Sequence, residues 1–575
     1  MRISQLIDAP AEWIMPAPID PTCGWNALDS HPLVSAILHR RGITSREVAE
    51  AFLDPSDGPR PDPVHLPNMA AAVDRIRLAI SQGETIAIFG DYDVDGITSS
   101  LILSEALSHA RSPGKVITRL PERAEGYGIN PRAIAEFQAS GVTLVITVDC
   151  GSSDHEQAAG LAQAGIDLVV FDHHHMLESG PAEAITVSPQ LNGDGTYHDL
   201  TAAGVAWLAV SALADAGVPV TDHADGVDGW LDLAALGTVA DVAPVIGANR
   251  WIVARGVAAI RTRPRPGVEA VVRSAGLEPS SVSATDISFA LAPRLNAAGR
   301  IDTPRLALDL LATRDRTEAR QLALLLEQVN IKRKSRSAQL LDQACAQITR
   351  RPGWQQEPVF TLQHADWEPG LVGAVASRLV EDVRRPVLLF RSDGDTLHGS
   401  ARSVDGINIV ELLTAVAPQL TRYGGHSLAA GVTLPAAELE SVTAHLVQSI
   451  LATGIQVPMP RQIRIDAKVP GKYLVTDTVR QLDRLEPFGR GNERPTMLVE
   501  RAQLLQYAAM GSDRSHLKIQ ARHEGRQIEA IAWGGAWRSK ELIGARSISL
   551  VGKLEINSWN GQERLQMVLD DFRIA

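Results

Sequence analysis

Cysteine is scarce in this sequence. Cys23, Cys150 and Cys345 are the only three, far apart and odd in number. That excludes a disulfide framework and a zinc site of paired thiolates, and makes a reducing cytoplasm the expected setting. Long apolar runs are missing too. No stretch approaches the roughly 18 to 20 unbroken apolar residues of a membrane span, so no membrane association is expected. The opening residues, MRISQLIDAPAEW, lack the basic start and apolar core of a secretory signal. No internal repeat of solenoid length stands out. There is no excess of positive charge: the formal net charge is −12. That argues against a protein coating nucleic acid over its whole surface, and leaves room for a local basic groove.

The 575 residues are 45% hydrophobic and 21% charged, the balance of a chain with several folded domains. Residues 1–68, with proline clusters such as DPSDGPRPDP, read as an irregular N-terminal arm. From Met69 onward helix and strand alternate. AAVDRIRLAISQG has helical amphipathic spacing; TIAIFG, GVTLVITVD and IDLVVFD are near-continuous apolar strands separated by helices. That pattern implies a parallel sheet, hence an α/β domain over residues 69–315. The stretch from Thr317 to Thr349 has neither proline nor glycine and reads as one long connecting helix, within 316–350. A second α/β domain is expected over 351–456, and short strands with charged alternation over 457–575 suit a small OB-like β-barrel.

Chemistry concentrates at the ends of the strands. TIAIFG runs into Asp91, Asp93 and Asp95 of DYDVDG, the second strand ends at Asp149, and the third at Asp172-His173-His174-His175. A further acid, Asp241, lies where the apolar run LAALGTVADVAP meets a loop. Open parallel sheets bind ligands beyond the carboxyl ends of their strands, so these groups are expected at one edge. Clustered carboxylates raise one another's pKa unless cations lie between them. Carboxylates favour Mg²⁺ or Mn²⁺, and added imidazole tilts the choice toward Mn²⁺. Two such ions, about 3.5–4 Å apart, activate a water and stabilise both oxygens of an in-line phosphoryl displacement. A calcium loop starting at Asp91 is the rival, but its twelfth position, where glutamate is needed, is Ile102. A histidine run alone is often a surface feature and a single strand-end aspartate often a helix cap. Their recurrence at successive strand ends is what points to metal-dependent chemistry.

GDYDVDG, VDCG, DHHH and GTVADVAP together resemble successive motifs of the DHH phosphoesterase superfamily. The resemblance implies Asp93, Asp95, Asp149, His173 and Asp241 as metal ligands, and His174 as the histidine that meets the scissile phosphate. The chain departs from the pattern at Phe89, where many relatives have a histidine ligand; Asp91 then stands as the replacement, and the first-metal ligand set is open. GSARS (399–403) and YGGHSLAAG (423–431) resemble the DHH-associated domain, with Ser400, Arg402, Gly424, Gly425 and His426 as substrate contacts. Glycines let a backbone approach a phosphate closely and an arginine fork can grip one, although GGH alone is also an ordinary turn. RLNAAGRI (294–301), EPFGRGNERP (486–495), PERAEGYG and the C-terminal LEINSWNGQERLQMVLDDF resemble the RecJ family of single-stranded-DNA-specific 5′→3′ exonucleases.

That resemblance implies hydrolysis of phosphodiester bonds by two-metal catalysis, release of 5′-mononucleotides, and a place in DNA repair and recombination. Arg123, Ser400 and Arg402 become candidates for reading the 5′-terminal phosphate, with Arg294 and Asn296 as further substrate contacts. Single-stranded DNA is the expected substrate, a single-strand-binding protein and a helicase the expected partners, and a monomer the expected state. Two rivals stand beside it. A superfamily phosphodiesterase for oligonucleotides or cyclic dinucleotides usually lacks the long C-terminal β unit. A non-catalytic single-strand-binding scaffold would have lost its acids. Lys332, Arg333, Lys334 and Arg336 are either a solvated helix face or part of a DNA channel. Trp533, Trp537 and Trp559 either pack in a core or stack on bases.

Overall fold

The structure is a computed structural model that describes residue 3 and residues 11–20, 22–55, 58–110, 114–176, 179–191, 195–559 and 561–575. The side chains of Ser558 and Trp559 lie outside that description. The chain forms two compact units, one from Met1–Asp8 with Arg60–Met459, the other from Ala9–Pro59 with Pro460–Ala575.

In the first unit, five parallel strands lie in the order Val116–Arg119, Ile86–Phe89, Leu144–Val148, Asp167–Phe171, Ala184–Val187. Both faces of the sheet are covered, which is why its central strands are nearly continuous apolar runs. Ile86 and Ile88 join one core with the helices Val94–His109 and Ala202–Asp215, while Ala87 and Phe89 face a second core. There the Phe89 ring meets Phe137 edge-on at 6.3 Å. Successive strands are laid down to opposite sides of Ile86–Phe89, so the order reverses between it and Leu144–Val148. In open α/β sheets this reversal opens the ligand crevice.

The long helix spans Arg316–Thr349, capped by the Asp315 carboxylate, which accepts from Thr317 N and Glu318 N. Its apolar stripe changes partners along its length. Ala319, Ala323 and Leu326 belong to the core under the parallel sheet; Leu340, Ala344 and Ile348 belong to the next core, with Phe360 and Leu371. That next body is a five-stranded sheet ordered Arg422–His426, Ala429–Pro435, Thr396–Arg402, Val387–Asp393, Phe360–His364. Only its last pair is parallel.

In the second unit, the strands Met497–Met510, His516–His523, Arg526–Ala532, Gln562–Ile574 and Ser547–Trp559 close on themselves through pairing of the first with the last. The stretch read as an irregular arm contains two helices, Pro32–Arg40 and Arg46–Leu53. Leu33, Val34, Ile37 and Leu38 share a core with Val499, Leu517 and Phe572 of the barrel. These helices are short, and the proline clusters beside them mask their apolar spacing. Trp533 and Trp537 are 56% and 46% exposed, against the core-packing reading of both.

Candidate metal centre

The site forms at the carboxyl ends of the central strands. After Ile86–Phe89 the chain turns into the helix Val94–His109, with Asp93 at its N-cap; the Asp93 carboxylate accepts from Asp95 N at 2.9 Å and Gly96 N at 3.1 Å. The turn depends on Gly96, because a Cβ there would lie 2.5 Å from the backbone nitrogen of Asp91. Asp95, one residue into the helix, is buried and points at the start of Ala202–Asp215, accepting from Ala202 N and Ala203 N at 2.9 Å each. A helix N-terminus favours a carboxylate in that position. Gly237 makes room for it, since a Cβ there would sit 2.6 Å from Asp95 Oδ1. Asp241 follows directly on the helix Leu231–Ala240.

Asp149 has left-handed backbone, φ 61°, and a buried side chain. His173 Nε2 lies 3.1 Å from Asp149 Oδ1, 3.7 Å from Asp95 Oδ2 and 3.9 Å from Asp241 Oδ2. Three overlapping groups result, each with donor atoms within 4.8 Å of one another: Asp91, Asp93 and Asp149; Asp95, His173 and Asp241; Asp149, His173 and His174. The predicted ligands therefore do come together, Asp91 included. Phe89 points into the opposite core.

The electrostatics fit divalent cations. Among the described residues Asp91 Oδ1 is buried with no hydrogen-bond partner. Burial, then the neighbouring Asp93, pushes the Asp91 carboxyl up to about 7. Asp95 and Asp149 are raised well above the usual carboxylate range, by burial first and by neighbouring carboxylates second. Burial and the charge of His174 pull His173 down to about 4, leaving a neutral imidazole able to ligate. A set of buried, mutually repelling oxygens with one neutral imidazole suits hard cations that tolerate nitrogen.

Asp172, given no role by the sequence reading, is fully buried and organises the histidines. It accepts from His173 N at 2.8 Å, His174 N at 3.2 Å and His174 Nδ1 at 2.7 Å. Burial opposes the charge on His174, but the hydrogen bond and charge of Asp172 outweigh it and raise His174 to about 9. The signal was available in the sequence, since histidines at metal sites usually need a carboxylate partner. Tyr127 was also passed over; its hydroxyl lies 3.0 Å from His174 Nδ1 and 3.1 Å from the Asp149 carbonyl.

The expected substrate contacts divide. Arg402 and Ser400 share one face of the strand Thr396–Arg402. Arg402 Nη1 donates to Ser400 Oγ at 2.6 Å and Nε to Ser377 Oγ at 3.0 Å. Among the described residues no carboxylate pairs with Arg402, and burial lowers its pKa. Gly424, Gly425 and His426 are exposed on an edge strand, where a Cβ on Gly425 would meet the Ala429 carbonyl at 2.3 Å. Arg123 lies 4.8 Å over the Tyr92 ring. Arg294 is engaged by Glu327 at 2.7 Å. The Asn296 side chain accepts from Val94 N at 3.1 Å, so it braces the DYDVDG turn.

Three family descriptions match: "DHH family, N-terminal domain" at residues 85–238, "DHHA1 domain" at 356–452 and "RecJ OB domain" at 465–571. A curated relative from Bacillus subtilis, named single-stranded-DNA-specific exonuclease RecJ, is 32% identical over 95% of this chain and 68% of its own length. A namesake from Dickeya dadantii is 31% identical over 88% of this chain and 90% of its own. The chain belongs to the RecJ family. Among solved structures, Thermus thermophilus RecJ in complex with Mn²⁺ superposes with a TM-score of 0.83 at 28% identity, covering 98% of this chain and 79% of that one. The same RecJ in complex with Mg²⁺ gives a TM-score of 0.77 over 98% of this chain and 78% of that one. Mn²⁺ and Mg²⁺ are the ions that the carboxylate and imidazole set described above fits.

Proposed function

We propose that this chain is a metal-dependent exonuclease that degrades single-stranded DNA from its 5′ end and releases 5′-mononucleotides. The observation that carries the reading is the convergence of five aspartates and His173 into overlapping ligand groups, with Asp149 and His173 at the overlap. Asp91, Asp93 and Asp149 would hold one ion, and Asp95, His173 and Asp241 a second. Bound there, the ions would supply Lewis acidity and a water deprotonated near neutral pH. The protein's own groups do the rest. Ala202 N and Ala203 N fix both oxygens of Asp95, and Asp172 fixes the His174 ring. A protonated His174, favoured by Asp172, donates toward a phosphate oxygen and offsets charge that builds as the bond to the leaving oxygen stretches.

Arg402 and Ser400 read the terminal phosphate, with Arg123 as a further contact, and Gly424, Gly425 and His426 track the backbone. Residues 69–315 are the catalytic domain, 351–456 the substrate-binding domain and 457–575 a single-strand platform. The place of action is the cytoplasm, in DNA repair and recombination, with a single-strand-binding protein and a helicase as partners of a monomer. Oligonucleotides labelled at either end test this. With Mn²⁺, a 5′ label should appear at once as mononucleotide while a 3′ label persists in long products. Early loss of the 3′ label, or equal digestion of duplex, would overturn the polarity or the strand preference.

A further inference from the structure

The loop between the turn Arg123–Glu125 and the helix Pro131–Ala139 carries Tyr127 to the metal centre. Both sides of this loop are fastened. Before Tyr127, the Glu125 carboxylate accepts from Arg119 at 2.7 and 2.8 Å and from Glu122 N at 2.7 Å. After it, Asp154 accepts from Ile129 N at 2.7 Å, and Asn130 accepts from Ala133 N at 2.9 Å. Gly128 is needed for the second fastening: its φ is 83°, and a Cβ there would lie 2.6 Å from the Asp154 carboxylate. The backbone that presents Tyr127 is therefore set by the fold before any substrate arrives.

The Tyr127 hydroxyl has one proton and meets two groups. The Asp149 carbonyl, at 3.1 Å, can only accept, so the proton goes there. Toward His174 Nδ1, at 3.0 Å, the hydroxyl oxygen is left to accept. Asp172 Oδ1, 2.7 Å from the same nitrogen, accepts too. The pattern assigns a proton to Nδ1 and leaves Nε2, on the other side of the ring, for substrate. One hydrogen bond lets a ring rock about it, whereas two fix its plane. The restraint matters because the His174 side chain is 37% exposed and a rival acceptor is close: Asp149 Oδ1 lies 3.8 Å from His174 Nδ1. A ring swung onto that carboxylate would occupy an oxygen shared by two of the ligand groups. The Tyr127 ring, edge-on to His174 at 5.4 Å, closes the same side.

We infer that Tyr127 is a positioning residue for phosphodiester cleavage that acts through His174: its hydroxyl ties the imidazole to the backbone turn at Asp149 and holds Nε2 toward the scissile phosphate. The inference rests on the exonuclease reading, in which His174 meets that phosphate. Tyr127 contacts the carbonyl of Asp149 and not its carboxylate, so its work is on the histidine and not on the ions. Asp172 and Tyr127 divide the task. Asp172 supplies the charge that keeps the imidazole protonated, and Tyr127 supplies a neutral second anchor.

The test is digestion of single-stranded DNA by the full chain with Mn²⁺, at steady state and at single turnover. It compares the parent with Tyr127→Phe, His174→Ala and the double variant. Tyr127→Phe removes the hydroxyl and keeps the ring. It should lower kcat about tenfold, the typical cost of losing an outer-shell partner, and change KM less than about twofold. His174→Ala should lower kcat at least about 100-fold. In that background Tyr127→Phe should cost less than about twofold, because the ring it orients is gone. Mn²⁺ affinity, read by calorimetric titration, should be the same in Tyr127→Phe and the parent. A tenfold loss that persists without His174 overturns the inference. So does a Mn²⁺ affinity that falls together with kcat, which would trace the effect to the Asp149 turn. A raised KM at unchanged kcat overturns it as well, and would make the Tyr127 ring, 48% exposed, a substrate contact. Full activity of Tyr127→Phe beside an active parent removes Tyr127 alone and leaves the exonuclease reading intact. An inactive, folded parent overturns that reading instead. Melting curves of each variant separate these results from misfolding.

Discussion

Asp149 meets two demands at once. Its left-handed backbone, φ 61°, turns the chain sharply at the end of Leu144–Val148, and its carboxylate joins two of the ligand groups. Asparagine tolerates that backbone nearly as well and keeps the side-chain shape, so Asp149→Asn removes charge while sparing the turn. We expect nuclease activity to fall at least about 10³-fold, because metal and electrostatic effects each lower such barriers by several kcal/mol. The melting temperature should hold or rise, since one repelling carboxylate is gone. Near-normal turnover by the folded variant would remove Asp149 from the chemistry. Arg402 makes a different demand, because its recorded partners are neutral oxygens. A terminal phosphomonoester carries about −1.5 to −2 charge near pH 7, more than an internal diester. Arg402→Ala should weaken binding of 5′-phosphorylated strands by about 1.5–3 kcal/mol and of 5′-hydroxyl strands much less. Equal losses on both, measured at one salt concentration, would make Arg402 a general backbone contact.

At the scale of elements, the helix Ala292–Ile301 has a positioning role that its sequence did not disclose. Asn296 accepts from Val94 N, and Gly299 leaves room for the Tyr92 carbonyl, which a Cβ would approach to 2.3 Å. Asn296→Ala should cost about 1 kcal/mol of stability, as loss of a helix cap does, and should lower kcat. The salt slope of KM should stay unchanged, whereas a role in binding phosphate would move it. Periodicity explains what was legible. Strands buried on both faces, such as Leu144–Val148, read as continuous apolar runs, and the helix Arg316–Thr349 had no breaker inside it. Met497–Met510, among the longest strands, shows no simple alternation, because register shifts between Val499 and Ala502 and between Leu504 and Gln506 interrupt its pairing. The ligand aspartates were legible because parallel strands deliver their ends to one edge. Parity along the first strand, which turns Ala87 and Phe89 to the same core, likewise leaves Asp91 beyond the strand's end. The bracing of Val94 N by Asn296 depends on a contact between distant segments, which no local pattern encodes.

For the molecule as a whole, the buried carboxylates make stability a function of pH and of metal together. The Asp91 carboxyl stands at about 7 in the folded chain against an ordinary 3.8, and Asp95 and Asp149 are shifted the same way. Between the unfolded and folded values the folded chain binds more protons, so these groups erode stability as pH rises. His173, depressed to about 4, acts oppositely, but it is already neutral by about pH 5 and adds nothing above about 6.5. His174 stabilises below its unfolded value and loses that contribution as pH climbs through about 9. A divalent ion must displace the protons on Asp91, Asp95 and Asp149, so its affinity grows across the same interval. The difference in melting temperature between Mn²⁺ and chelator should therefore be small near about pH 5 and large near about pH 8. An ion at about 100 times its Kd stabilises by about 2.7 kcal/mol. Comparing the difference at each pH cancels the titrations that metal does not touch. A Mn²⁺ shift of equal size at both ends of the range would mean that the ion binds without displacing protons, and would place it away from these aspartates.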